Sequence, residues 1–198
     1  MKRPFVIGVA GGSASGKSTF ARSLCASLGD AALVIPMDSY YFPEEQLPRV
    51  CAPVTGKLYP DYNQPSSIEL GRLKADLASA ITGGMNPVIL VEGLFTLWDP
   101  EIFEQLDWKV FIDCKADERA IRRLRRNMSW GRSFDQVADV YLDLVRFRHE
   151  EYVEPTKWRA DFILNGSRPF DLAVEWMAGY VTACVLPRQD LKSKTLPI

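Results

Sequence analysis

Residues Gly11-Gly12-Ser13-Ala14-Ser15-Gly16-Lys17-Ser18 follow the spacing G-x-x-x-x-G-K-[ST], in which a run of small residues precedes a lysine and a hydroxyl. Small residues let the backbone curl until successive N–H groups face one anion, where a larger side chain would block the approach. The helix that follows adds the partial positive charge of its N-terminus. Such a loop cradles phosphates on Gly11, Gly12, Ser13, Ala14, Ser15, Gly16 and Thr19. Lys17 then reaches the outer phosphates and the Ser18 hydroxyl is available to Mg²⁺. By average residue usage the bare pattern arises by chance in about one chain of this length in 100. Its setting makes coincidence rarer still. An apolar run at 5–10 leads into it, and Phe20, Leu24 and Leu28 recur behind it at helical spacing up to Gly29.

Two carboxylates sit where apolar runs end, Asp38 in Pro36-Met37-Asp38-Ser39-Tyr40-Tyr41 and Glu92 in Val88-Ile89-Leu90-Val91-Glu92-Gly93. At the edge of a parallel sheet both would emerge beside the phosphate loop, one to accept a proton from an attacking hydroxyl, the other to hold Mg²⁺. Capping the next helix, or simple solvation, is the plainer alternative for each. Downstream, Arg119, Arg122, Arg123 and Arg126 fall at i, i+3, i+4 and i+7 on one helix face, and Arg132 follows Gly131. Phosphoryl transfer needs such cations, because the transferring group spreads negative charge over its oxygens. A solvated basic face is the commoner fate of a charge run, and an RNA-binding patch would want interleaved aromatics that are not found here. Taken with the loop, the arginines read as a lid over residues 119–133, hinged at Gly131.

The elements that must position these groups alternate along the chain. Short apolar runs at 5–10, 32–37, 88–92, 109–114 and 161–164 read as strands buried on both faces. Between them, Ser66 with Glu69 forms a capping-box pattern ahead of Leu70, Leu73, Leu77 and Ile81, with Gly83-Gly84 as the stop. Ser133 with Gln136 repeats the pattern ahead of Val137, Tyr141 and Val145. Strands alternating with helices imply an α/β fold: a five-stranded parallel sheet, helices on both faces, ligands at the carboxyl ends of the strands. The Pro- and Tyr-rich stretch 43–65 reads as a long loop over the site. A single domain is expected over residues 1–185, with a tail at 186–198.

Length and composition fit one ordinary cytosolic domain. The chain has 198 residues, 47% of them apolar, and a net charge of −1, which argues against a nucleic-acid or membrane-surface partner. Cys25, Cys51, Cys114 and Cys184 show no metal or disulfide spacing. The apolar run after Met1-Lys2-Arg3 is too short for a signal peptide, and no stretch is long enough to span a bilayer.

The ordered set of motifs resembles the uridine kinase-like P-loop kinases, whose relatives include phosphoribulokinase, pantothenate kinase and nicotinamide riboside kinases. It comprises residues 11–19, Asp-Ser-Tyr-Tyr at 38–41, Tyr-Asn-Gln-Pro-Ser-Ser at 62–67, Val91-Glu92-Gly93, residues 113–126, Gly131-Arg132-Ser133 with Tyr141, and Glu154-Pro155-Thr156-Lys157 ahead of Ala160-Asp161. The resemblance spans residues 5–183. It implies the three-layer sandwich of P-loop NTPases with a small helical lid, and transfer of the γ-phosphoryl of ATP, with Mg²⁺, to a primary hydroxyl of a small metabolite. Asp38 would be the general base, Ser18 and Glu92 the Mg²⁺ residues, and Arg123, Arg126 and Arg132 the clamp. Residues 165–168 would lie near the adenine. It leaves a homo-oligomer open.

Departures from the family pattern fall on the acceptor side. The hairpin that grips a pyrimidine, expected between the second helix and Val88, is missing at 81–87, and the acid that grips ribose is Asn63. Trp130 stands where an Arg is expected, and Val140 where a Gln is. Tyr40, Tyr41, Tyr59, Tyr62 and Asn63 are the acceptor-pocket candidates, and Asp61 is a candidate for hydroxyl binding. The single histidine, His149, lies among Arg146, Arg148, Glu150 and Glu151 and reads as a surface residue. The expected activity is therefore a uridine kinase-like phosphotransferase whose acceptor need not be uridine. Uridine or cytidine kinase proper, and a regulatory ATP-binding module, are the alternatives.

Overall fold

The computed structural model describes residues 3–187. Among them, the apolar runs become the strands β1 (Phe5–Gly11), β2 (Ala32–Pro36), β5 (Val88–Glu92), β6 (Trp108–Asp113) and β7 (Phe162–Asn165), with β3 (Arg49–Cys51) and β4 (Leu58–Pro60) forming a separate antiparallel pair. The five-stranded sheet has the order β2-β5-β1-β6-β7 and every pairing in it is parallel. Strand β5 is buried end to end and β1 from Val6 onward, whereas the edge strands β2 and β7 are only partly buried. Helices α1 (Lys17–Leu28), α2 (Leu70–Gly83), α3 (Pro100–Gln105), α4 (Ala116–Ser129), α5 (Phe134–Val140), α6 (Arg146–Arg148) and α7 (Asp171–Tyr180) complete the fold.

Period-two alternation divides the core into two layers. Val6 and Ala10 of β1 pack with Ile89, Val91, Leu73 and Leu77 on the α2 face. Ile7 and Val9 turn the other way, to Phe20, Leu24, Val174 and Met177 of α1 and α7. Helix α2 buries its apolar stripe on one face of the sheet, and α1 and α7 bury theirs on the other. Among the described residues no helix is long and apolar enough to cross a membrane.

Three local expectations change. The Ser66–Glu69 capping box does not form. Ile68 is extended (φ −108°, ψ 137°) and bridges to Tyr41, so the two residues never share a helical turn, and Glu69 pairs with Arg72 instead. The Ser133 box does form, through bonds of 3.2 Å and 3.0 Å with Gln136, and α5 runs on through π-helical turns at Tyr141–Val145 and His149–Val153. Stretch 43–65 is not a plain loop, since it contains the β3–β4 hairpin. Its strands are too short to show a period, and it is held from outside. Lys57 bonds Asp139, while Thr55 and Tyr59 both donate to Asp143. Residues 186 and 187 continue the last helix, with Leu186 against the core, and the rest of the expected tail lies outside the described residues.

Candidate active site

Strand β1 delivers the chain to the loop at Gly11, and α1 begins at Lys17. The curl between them needs left-handed backbone at Ala14 (φ 64°) and Gly16 (φ 102°), and the Ser15 N–H closes it on the Gly12 carbonyl at 3.0 Å. At Gly16 a side chain would meet both that strain and the Phe170 ring at 3.1 Å. The Ser15 hydroxyl is buried with no partner, and Lys17 is buried as well. The register sets Val9 and Pro36 on either side of Glu92, so Glu92 ends at the same edge as the loop. The Ser18 hydroxyl donates to Glu92 Oε2 at 3.0 Å. Burial raises the Glu92 carboxyl above its ordinary value; Lys17 opposes that shift and Asp38 adds to it.

In front of the loop lies a cleft of about 670 Å³ lined by Lys17, Asp38, Arg123, Arg126 and Arg132, and by Tyr41, Tyr62 and Asn63. Arg123 Nη1 and Arg126 Nη2 converge on the Ser13 hydroxyl at 2.8 Å and 3.2 Å. Arg123 Nε is buried and unpaired. Burial, helped by the neighbouring Arg126, pulls the Arg123 guanidinium down to about 10; burial lowers Arg126 too. Both stay charged at neutral pH. Two desolvated cations without a carboxylate of their own form a site poised for an anion.

Among the acceptor-pocket candidates, Tyr41 and Tyr62 meet edge to face at 5.6 Å. Burial, then the Asp38 charge, push the Tyr41 phenol up, so it is present as a neutral donor. Tyr62 donates to Glu44 at 3.1 Å. Asn63 is placed by its own backbone N–H, which donates to Asp61 Oδ1 at 2.8 Å, leaving the side-chain amide at the cleft. Asp61 is not available to a hydroxyl: it is fully buried, and its other oxygen takes Arg148 Nε at 2.7 Å. Tyr40 is not in the cleft either, because its hydroxyl turns to Asp76 at 2.8 Å beneath the Arg72 guanidinium. Tyr59 lines the cleft but spends its hydroxyl on Asp143.

The four arginines of α4 do not act as one face. Arg119 is buried beneath the loop, its Nε donating to the Cys114 carbonyl at 2.9 Å. Arg122 bonds the Gly166 carbonyl at 2.8 Å and borders a second groove, with Thr19, Arg168 and Phe170, on the far side of the loop. Only Arg123 and Arg126 reach the cleft. Long side chains from one helix face diverge once a phosphate loop sits between them. Past α4, Trp130 stays 69% exposed with Arg126 over its ring at 5.1 Å, and Gly131 turns at φ 86°.

His149 is the largest correction. Its side chain is only 11% exposed and Nε2 lies 3.0 Å from Glu154 Oε2, while Nδ1 is buried without a partner. Burial, then Arg119, pull the imidazole down to about 4. A signal was available, since Val145, His149 and Val153 recur at i, i+4 and i+8 and both valines are buried. The charged neighbours masked it.

An anion cradle at the end of a central parallel strand, carboxylates beside it and buried guanidiniums over it define a P-loop phosphotransferase. A sequence profile of the Phosphoribulokinase / Uridine kinase family matches residues 69–173. The uridine kinase of Deinococcus deserti is 34% identical over 186 residues, covering 82% of this chain and 87% of that protein. That of Oceanobacillus iheyensis is 35% identical over 199 residues, covering 91% and 95%. An unliganded sugar kinase from Janibacter sp. HTCC2649 shares the fold, with a TM-score of 0.58 at 15% identity over 92% of this chain and 97% of its own. The chain belongs to the phosphoribulokinase / uridine kinase family and is an ATP-dependent kinase of a small molecule.

Proposed function

We propose that the chain transfers the γ-phosphoryl of ATP to a primary hydroxyl of a neutral, polyhydroxylated acceptor of nucleoside size. The observation that carries this reading is the convergence of Lys17, Asp38, Arg123 and Arg126 on one cleft beside the free Asn63 amide. Asp38 takes the acceptor's hydroxyl proton as the oxygen attacks phosphorus. Lys17 and the loop amides hold the phosphates in line, and Arg123, Arg126 and Arg132 offset the charge spread over the transferring oxygens. Ser18 and Glu92, already 3.0 Å apart, present the oxygen donors that Mg²⁺ prefers. Bound there, the ion would supply charge neutralisation of the phosphates.

Lys57 is paired with Asp139, so the cations that remain in the cleft, Lys17, Arg123, Arg126 and Arg132, are those assigned to the phosphates. The Tyr41–Tyr62 pair offers an apolar platform, and Asn63 both donates and accepts. The pyrimidine-gripping hairpin is absent at 81–87, where α2 passes directly into β5, whereas β3–β4 brings Tyr59 and Pro60 to the cleft from the other side. The test is ADP release from Mg·ATP against uridine, cytidine, nicotinamide riboside, pantothenate, glycerate and simple sugars. Turnover with a neutral polyol, falling about 10²–10⁴-fold in Asp38→Asn, is expected. Near-normal turnover in that variant refutes the base assignment. ADP formed regardless of acceptor would indicate a regulatory NTPase instead.

A further inference from the structure

The phosphate loop rests on a brace that its own motif does not include. A Cβ built on Gly12 would lie 2.6 Å from Arg119 Nη1 and 3.0 Å from His149 Cε1, so these two side chains occupy the space beneath it. Arg119 comes from α4 and is anchored on the Cys114 carbonyl. His149 comes from the helical stretch after α6 and is anchored through Nε2 on Glu154. Glu154 in turn faces Lys157 at 3.8 Å, and Lys157 is bound to Asp113 at the end of β6 at 2.6 Å. Two separate elements therefore meet under one loop residue, and the Glu154–Lys157–Asp113 chain ties one of them to β6.

The imidazole is suited to this place. A carboxylate only accepts, so Nε2 carries the proton and Nδ1 is left as a bare lone pair. The charged groups facing the ring are Arg119, Glu154, Asp113 and Lys157. With Arg119 already beneath the loop, a neutral ring adds bulk and a donor without a second cation.

We propose that His149 is a positioning residue of the phosphate-binding loop: with Arg119 it sets the height of Gly12, and so the aim of the amides that meet the phosphates of ATP. This rests on the reading of residues 11–18 as the phosphate cradle. The effect acts through backbone placement, and His149 itself touches no substrate.

His149 is the single histidine of the chain, so its imidazole can be followed in the intact protein without substitution. In ¹H–¹⁵N spectra the ring is expected to hold the Nε2–H tautomer unchanged from about pH 8 to about pH 5.5, where an ordinary histidine titrates, and to shift on adding Mg·AMP-PNP. By calorimetry His149→Phe, which keeps the bulk and loses the donor, should weaken Mg·AMP-PNP about 10-fold, because small displacements of a positioned group are costly. His149→Gln, which can still donate to Glu154, should recover most of that loss. A merely structural residue would lower the melting temperature in both variants and leave the affinity alone. A ring that titrates like free histidine, a ring indifferent to Mg·AMP-PNP, or wild-type affinity in the Phe variant overturns the proposal. Wild-type protein that does not bind Mg·AMP-PNP sinks the phosphate-cradle reading itself, and the brace with it. The spectra decide the matter even where a variant fails to fold.

Discussion

Replacing Arg148 by Met probes how the acceptor loop is held. Arg148 Nε lies 2.7 Å from Asp61 Oδ2, with side-chain exposures of 16% and 0%. The second oxygen of Asp61 holds the Asn63 N–H, so this ion pair anchors the residue that lines the acceptor end of the cleft. Removing the guanidinium leaves a fully buried carboxylate uncompensated, at a cost of about 3–5 kcal/mol. At about 2–4 °C per kcal/mol for a chain of this size, the melting temperature should fall by roughly 6–20 °C. The other ion pair of Arg148, to Glu151, joins a half-exposed carboxylate, so Glu151→Ala should cost under about 1 kcal/mol. In Arg148→Met/Asp61→Asn the buried charge is gone while an oxygen remains for the Asn63 N–H, and most of the loss should return. Urea unfolding followed by circular dichroism gives all four corners of the cycle, provided the m-values agree. A single-mutant loss below about 1 kcal/mol, or strictly additive effects, would refute the claim that the pair is buried and coupled.

Glu92→Gln should abolish Mg²⁺-dependent turnover yet stabilise the free protein at neutral pH. Burial raises the Glu92 carboxyl, so the folded state holds its proton more tightly than the unfolded chain and its ionised form opposes folding. The stability gained by the variant should be full at pH 7 to 8 and fade as pH falls toward the ordinary value of 4.5, as read by melting in citrate–phosphate buffers. Equal melting curves at every pH would contradict this. Lys17→Ala should erase the thermal shift given by Mg·ATP, which at 100-fold excess over Kd corresponds to about 2.7 kcal/mol in the wild type. A retained shift would mean that the nucleotide binds elsewhere.

The sheet and the phosphate loop are legible from the chain alone because both depend on local rules. Val, Ile and Leu in short continuous runs bounded by turn residues read as strands of a covered parallel sheet, and the loop's spacing of small residues ahead of Lys17 follows from the size of a phosphate. The Ser133 capping box formed for the same reason, since all its partners lie within one turn. Asp38 and Glu92 were placed by a rule of topology, that parallel strands present their carboxyl ends to one edge.

What failed depended on partners far away in sequence. Ser66 and Glu69 match the capping box, but Ile68 pairs with Tyr41 and pulls them out of register. Hairpin β3–β4 is too short to announce itself and is stabilised by Asp139 and Asp143, roughly eighty residues on. Asp61 looks like a free acid until Arg148 is seen beside it. His149 sits among charges in sequence, yet the helix turns it inward beneath Gly12 while Arg148 reaches the acceptor loop. By itself, then, the sequence determined the sheet, the phosphate loop and the candidate residues for phosphoryl transfer. Only the tertiary structure decided which arginines reach the cleft, which tyrosines line it and what supports the loop, because burial and long-range pairing, unlike periodicity, are properties of the packed chain.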